Sequence, residues 1–238
     1  ECGLRAFQMM AGALDGLAVA PQLLSHEGPF GVGYAVALFP VTGPDSTRCF
    51  AIACEQAQRA HLEECRARED AWVRLARLSL ETYVRTGHRL ERLPDDLPSE
   101  LTSPTAGAFV SLHINGRLRG CIGTIVPTQE NVAWEIVQNA ISAGSRDPRF
   151  PTVRADELDT LEYSVDVLGQ PEPVDSPAQL DPKQYGVIVS CGQRRGLLLP
   201  DLDGVDTVEQ QLHIACQKGG ISAKDRYQIE RFRVVRHL

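Results

Sequence analysis

The chain is predicted to fold as an α+β protein, and three features carry the prediction. Two stretches read as hairpins, 109–124 broken at Asn115-Gly116 and 187–199 broken ahead of Gly196, and both imply antiparallel pairing. Three others, 50–87, 130–143 and 208–218, have helical composition or spacing. Strands and helices intermix along the chain.

Residues 1–41 read as helix, strand, loop, strand. Leu4, Phe7, Ala11 and Leu14 recur at helical spacing, and Gly16 can close that helix. Val19–Leu24 and Gly33–Val41 are short apolar stretches separated by the turn-rich Glu27-Gly28-Pro29-Phe30-Gly31. Thr42-Gly43-Pro44-Asp45-Ser46 is the best linker candidate. Residues 50–87 are one long helix or two, the later one carrying Trp72, Leu75, Leu80 and Tyr83. A loop marked by Pro94, Pro98 and Pro104 follows. Phe109–Ile114 and Arg117–Thr124 form the first hairpin, since Asn-Gly suits the two positive-φ positions of a tight turn. Val132, Ile136 and Ala140 make one stripe of the next helix. Leu161–Leu168 is a strand, and Val187–Cys191 with Gly196–Leu199 is the second hairpin. Val208–Lys218 is a helix stopped by Gly219-Gly220, and Tyr227–Val235 closes the chain with strand-like alternation.

With 238 residues, 43% of them hydrophobic, the chain can bury a real core. A formal charge of −7 argues against a general nucleic-acid binder. Lys224, Arg226, Arg231, Arg233 and Arg236 crowd the C-terminus, with Arg194 and Arg195 in a turn, and read as a solvated strand edge. No apolar run approaches a membrane span and no leader is present, so the expected place is the cytoplasm. A start at Glu1 reads as a fragment or processed product. Seven cysteines, an odd number with no CxxC pair, fit reduced thiols better than a zinc ribbon or disulfide framework.

The most informative run is Leu118-Arg119-Gly120-Cys121-Ile122-Gly123-Thr124, a thiol two residues after a guanidinium and between two glycines. A two-residue turn at Asn115-Gly116 pairs Ile114 with Arg117, Leu112 with Arg119 and Val110 with Cys121. That register puts Arg119 and Cys121 on one face, where a cation favours the thiolate, and puts His113 on the other. Cys121 is then a nucleophile, a pocket residue, or a small buried hydrophobe with Arg119 pairing to Asp147. In Asp147-Pro148-Arg149-Phe150-Pro151 the prolines hold Asp147 and Arg149 in a set geometry, for binding an anion or for an internal ion pair. Cys54, His61 and Cys65 fall on one helix face, but together they span about 16 Å at 1.5 Å per residue, too far for one ion. His61 and Cys65 alone could share one, though a plain helix face is the better reading. Cys191 and Cys216 read as core, and Lys218 suits a helix C-terminus. No GxGxxG, P-loop, HExxH or GxSxG pattern is present, so the common nucleotide, zinc-protease and serine-hydrolase classes get no support.

Leu118–Thr124, Asp147–Pro151, Glu157-Leu158, Gly196–Pro200 and Cys216-Gln217-Lys218 together resemble the AMMECR domain family, called AmmeMemoRadiSam system protein A in bacteria and archaea. The resemblance covers 68–238 and departs at Gly144-Ser145 and Gly219. It implies a mainly antiparallel sheet flanked by helices, with a smaller subdomain, and neighbourhood with a MEMO-like protein and a radical-SAM protein. It implies no known reaction. The preferred reading is a domain of this type that binds a ligand or partner through Arg119, Gly120, Gly123, Asp147, Arg149 and Lys218, and the second is an enzyme with Cys121 as the catalytic candidate. Residues 1–41, through Cys2-Gly3-Leu4-Arg5 and Glu27–Tyr34, resemble the C-terminal end of a LigB-like or MEMO-like class III extradiol dioxygenase domain. There an iron or copper ligand maps onto Glu1 or Cys2. The upstream histidines are absent, so this chain is expected to hold no cofactor, and iron belongs to a full-length protein. A dioxygenase subunit is the third reading. Residues 42–67 are then a linker and connecting helix.

Overall fold

The computed structural model describes residues 4–28, 33–222 and 225–238, so Glu1 and Cys2 lie outside the described residues. The chain divides into two units, 1–64 and 65–238. In the first, α1 (Leu4–Ala13) is followed by Gly16 at φ +74°, a left-handed position that suits glycine. Strand β1 (Leu17–Val19) pairs with β4 (Val41–Pro44), and β2 (Gln22–Glu27) with β3 (Tyr34–Leu38), both antiparallel. Thr42–Pro44, expected as linker, is thus strand. Pro44 is tolerated because a two-stranded ribbon is all edge. The Asp15 carboxylate accepts from the backbone N–H of Phe50 at 2.6 Å, where α2 (Phe50–Arg68) begins. None of the described residues from 4 to 49 is buried.

The stretch 50–87 is two helices rather than one. The second, α3 (Ala71–Thr86), starts where the Asp70 carboxylate accepts from the Trp72 and Val73 backbone N–H groups at 3.0 and 3.1 Å. Such a cap satisfies donors a continuous helix would have bonded internally. Gly87 at φ +77° ends it. After the short α4 (Ser99–Thr102) come β5 (Ala108–Ile114), β6 (Arg117–Gly123) and α5 (Val132–Ser145). Then follow β7 (Glu162–Leu168), β8 (Glu172–Pro173), β9 (Gly186–Cys191), β10 (Arg194–Leu198), α6 (Val208–Lys218), β11 (Gln228–Phe232) and β12 (Val234–His237).

The class is α+β, and every strand pair among the described residues is antiparallel. Within the second unit the strands form two four-stranded sheets, ordered β12-β7-β5-β6 and β10-β9-β11-β8. Tyr227–Val235, which reads as one alternating strand, is divided between them. Arg233 interrupts it, its carbonyl accepting from the Gly169 N–H at 2.8 Å, and the chain crosses from β11 in one sheet to β12 in the other. Helices α3 and α5 cover one face of the first sheet, burying Leu75, Leu80, Val110, Leu112, Ile136 and Val165. Helix α6 covers the second, over Val187, Val189, Leu198 and Leu212. A third cluster of Leu168, Ile188, Leu197 and Phe232 draws on strands of both sheets.

Candidate functional site

The β5–β6 hairpin turns at Asn115 (φ +53°) and Gly116 (φ +69°), as the sequence predicts. Its register does not follow the prediction. Ile114 pairs with Arg117 and His113 with Leu118, as the predicted register requires, but Leu112 pairs with Gly120 and Ser111 with Cys121. Arg119 is the extra residue of a β-bulge, and every later side chain changes face. The reason is energetic. Opposite Leu112, Arg119 would have placed a charge in the core between the first sheet and its helices. The bulge instead gives that place to Gly120, where an added Cβ would lie 2.3 Å from the Ala143 carbonyl oxygen of α5. Arg119 therefore does not share a face with Cys121. His113, expected on the opposite face, lines the same cleft as Cys121.

Arg119 reaches away from the thiol. Its guanidinium binds Glu157 in a fork at 2.8 and 3.0 Å and donates to the Pro151 carbonyl at 2.9 Å. That guanidinium holds the Glu157 carboxyl below its ordinary range. Its partner is Glu157, not Asp147. Asp147 is buried and accepts from the Cys121 backbone N–H at 2.9 Å, the Arg149 backbone N–H at 3.1 Å, and Arg149 Nε and Nη2 at 2.9 and 2.7 Å. Hydrogen bonding to Arg149 above all holds the Asp147 carboxyl far below the carboxylate range, and the same pairing raises Arg149. Arg149 Nη2 also donates to the Cys121 carbonyl at 3.2 Å. Leu118–Thr124, Asp147–Pro151 and Glu157 are thus one bonded assembly, which explains their occurrence as a set of motifs.

Cys121 faces a cleft of about 980 Å³ in the second unit, lined by both sheets. Its floor is the outer face of the first sheet. Ser164, Ser111 and Cys121 stand in one row across β7, β5 and β6, and Glu162, His113 and Leu118 in the next. Ser111 Oγ donates to Cys121 Sγ at 3.2 Å. Farther along, Arg236 binds Asp166 at 2.8 and 3.1 Å. The opposite wall is β10 with the residues that follow it, Leu199 to Asp203. Lys218 enters from the end of α6. Gly196 of β10 lets that helix end approach, since a Cβ there would meet the Ala215 carbonyl oxygen. The helix then stops in a Schellman turn: Ile221 N–H donates to the Cys216 carbonyl at 2.8 Å, Gly220 N–H to Gln217 at 3.1 Å, and Gly220 takes φ +61°. Surrounding protein pushes the Lys218 ammonium pKa down, the Cys121 thiol opposes that, and the Arg149 charge adds to it.

Of the residues singled out from sequence, Cys121, Gly123, Arg149 and Lys218 line the cleft. Arg119, Gly120 and Asp147 support it from behind. Cys216 is buried as expected, its thiol pKa raised by burial, and Cys191 packs against the same cluster. His61 and Cys65 lie one turn apart on α2, and Cys54 is exposed. Sequence reasoning missed Ser111, Ser164 and the Asp166–Arg236 pair, which are brought together by the pairing of strands distant in sequence. It also missed Glu135, fully buried in α5, which accepts from Thr124, Thr128 and Gln129 at 2.6–2.9 Å and fixes the loop after β6.

Comparison with known proteins places this geometry in a family. Residues 73–237 match the family model described as AMMECR1. Protein CA_C1420 of Clostridium acetobutylicum is 45% identical over 237 residues; all of this chain is covered, and the chain spans 50% of that relative's length. A Thermotoga maritima protein is 54% identical over 172 residues, covering 71% of this chain and 98% of its own. The crystal structure of the uncharacterized protein PH0010 from Pyrococcus horikoshii superposes with a TM-score of 0.64 at 32% identity, over 69% of this chain and 88% of that one. The chain belongs to the AMMECR1 family.

Proposed function

We propose that the AMMECR1 domain of this chain is a ligand-binding domain that holds a small molecule in the cleft beside Cys121, and that it acts with a radical-SAM protein and a MEMO-like protein. The observation that carries the binding reading lies beneath the thiol. One buried carboxylate, Asp147, fixes both the Cys121 backbone and the Arg149 guanidinium at an open cleft. Groups held in place before a ligand arrives lose little freedom on binding it. Arg119 and Gly120 serve the site by fixing the strand, through Glu157 and through contact with α5.

The partner reading rests on the resemblance of the motifs around Cys121, Arg149 and Lys218 to AmmeMemoRadiSam system proteins. In the same reading, residues 1–41 are the end of a LigB-like, MEMO-like domain, and iron belongs to the longer protein rather than to this chain. Exposed Phe7, Leu23, Leu24, Tyr34 and Val36 support it, since apolar side chains in such number suit burial against further protein. The proposed setting is the cytoplasm; no helix among the described residues is long and apolar enough to cross a membrane.

Cys121 as a nucleophile is the second reading. It is favoured by the Ser111 hydroxyl donating to Sγ, which leaves the sulfur as acceptor, the role a thiolate takes.

Native mass spectrometry of the full chain, incubated with a small-molecule cell extract, tests the binding reading. The wild-type chain is expected to retain bound mass that Cys121→Trp, which fills the cleft, loses while keeping a native unfolding transition. A folded Cys121→Trp that retains the same masses contradicts it.

A further inference from the structure

We infer that the Cys121 end of the cleft is an oxyanion subsite, where Arg149 and Lys218 together take a carboxylate or phosphate group of the ligand and hold the rest of it against the thiol. This deepens the binding reading and rests on it.

Three observations carry the inference. The first is where the negative charge near Cys121 is spent. Asp147 is buried, and its two oxygens already accept four N–H bonds, from Cys121 and Arg149, so its charge is turned away from the cleft. The second is what Arg149 keeps free. Asp147 takes its Nε and Nη2, the Cys121 carbonyl takes Nη2 again, and Nη1 has no acceptor among the described residues. The side chain is 55% exposed and lines the cleft, within reach of a ligand there. A guanidinium locked on one edge is suited to bind an oxyanion with the other.

The third is Lys218. It lines the same cleft, sits close enough to interact with both Cys121 and Arg149, and forms no ion pair with a carboxylate among the described residues. The other charged groups of the cleft are largely matched. Arg236 holds Asp166, Arg195 holds Glu230, and Lys183 lies 3.6 Å from Asp201. The carboxylates that line the cleft, Glu162, Asp166, Asp201 and Asp203, come from β7 and from the residues after β10, so Arg149 and Lys218 are the charges that set the local field beside the thiol.

Paired alkylating reagents read this field at the thiol itself. Iodoacetate carries a carboxylate and iodoacetamide does not. In both cases Cys121 Sγ forms the S–C bond, iodide leaves with the C–I electron pair, and the thiol proton goes to solvent. With the full chain and peptide mapping, the iodoacetate-to-iodoacetamide rate ratio at Cys121 is expected to exceed that of the same cysteine in urea by roughly tenfold. Lys218→Met should lower the ratio most of the way to the unfolded value, and Lys218→Arg should retain it. Inorganic phosphate and acetate, added separately, should each slow the iodoacetate reaction if they compete for the subsite. Protection by phosphate alone assigns a phosphate group, and protection by acetate alone a carboxylate. A folded-state ratio equal to the unfolded one, or an unchanged ratio in Lys218→Met, overturns the subsite and leaves the cleft reading standing. A folded chain whose Cys121 reacts with neither reagent overturns both.

Discussion

Asp147 carries the site through four hydrogen bonds, and its replacement separates charge from shape. In Asp147→Asn the new amide N–H₂ must face donors already present, the Cys121 N–H or the Arg149 guanidinium. Removing one partner of a buried, hydrogen-bonded pair leaves the other unmatched, and a loss of about 3 kcal/mol in urea unfolding is expected. The pH dependence has a definite sign. Because the folded-state pKa lies below the unfolded value of about 3.9, Asp147 stabilises the fold above that pH and the stabilisation is lost as pH falls toward the folded value. The variant should therefore lose less stability than wild type between neutral pH and strong acid. Equal slopes would mean that the carboxylate contributes nothing to acid sensitivity. The pairing of Asp147 with Arg149 was legible in the sequence, since a proline between them limits the geometry. That Asp147 also binds the Cys121 backbone was not, because nothing local links positions 26 residues apart.

The β5–β6 hairpin decides which residues meet the cleft, and a single bulge decides the hairpin. The turn, the strands and the motif were all readable; the slip at Arg119 was not read. A signal existed, because the unbulged register sets Arg119 against the apolar face that carries Leu112 and Val110. Treating that conflict as evidence for a bulge would have moved Cys121 beside Ser111 and His113. Gly120 marks the same point structurally. Its added Cβ would strike the backbone of α5, which cannot yield as a flexible side chain does. Gly120→Ala is expected to cost about 3 kcal/mol or more by thermal or urea unfolding, at the upper end of overpacking. Gly144→Ala, whose Cβ meets only the Leu80 side chain, should cost less. The opposite order would show that β6 is not pressed on α5 there. Other elements failed for similar reasons of context: β8 has two residues and no pattern of its own, and β11 and β12 share one alternating run but belong to different sheets.

At the scale of the molecule, the AMMECR1 domain owns its core, its cleft and its bonded motifs, all within residues 65–238. The Thermotoga maritima relative, matched over 98% of its length by 71% of this chain, fits a domain that stands alone. The α+β class was legible because hairpins and helices each have local signatures. The cleft was not, because it forms where strands distant in sequence face the residues after β10 and the end of α6. The central claim is that Cys121 opens into that cleft. Peptide-mapped alkylation of the native full chain by N-ethylmaleimide tests it most directly, with Cys216, 6% exposed, as the internal standard for a buried thiol. The structure predicts that Cys121 is modified while Cys216 stays protected until the chain unfolds. A Cys121 protected to the same extent as Cys216 would contradict the account and return the motif to a purely architectural role.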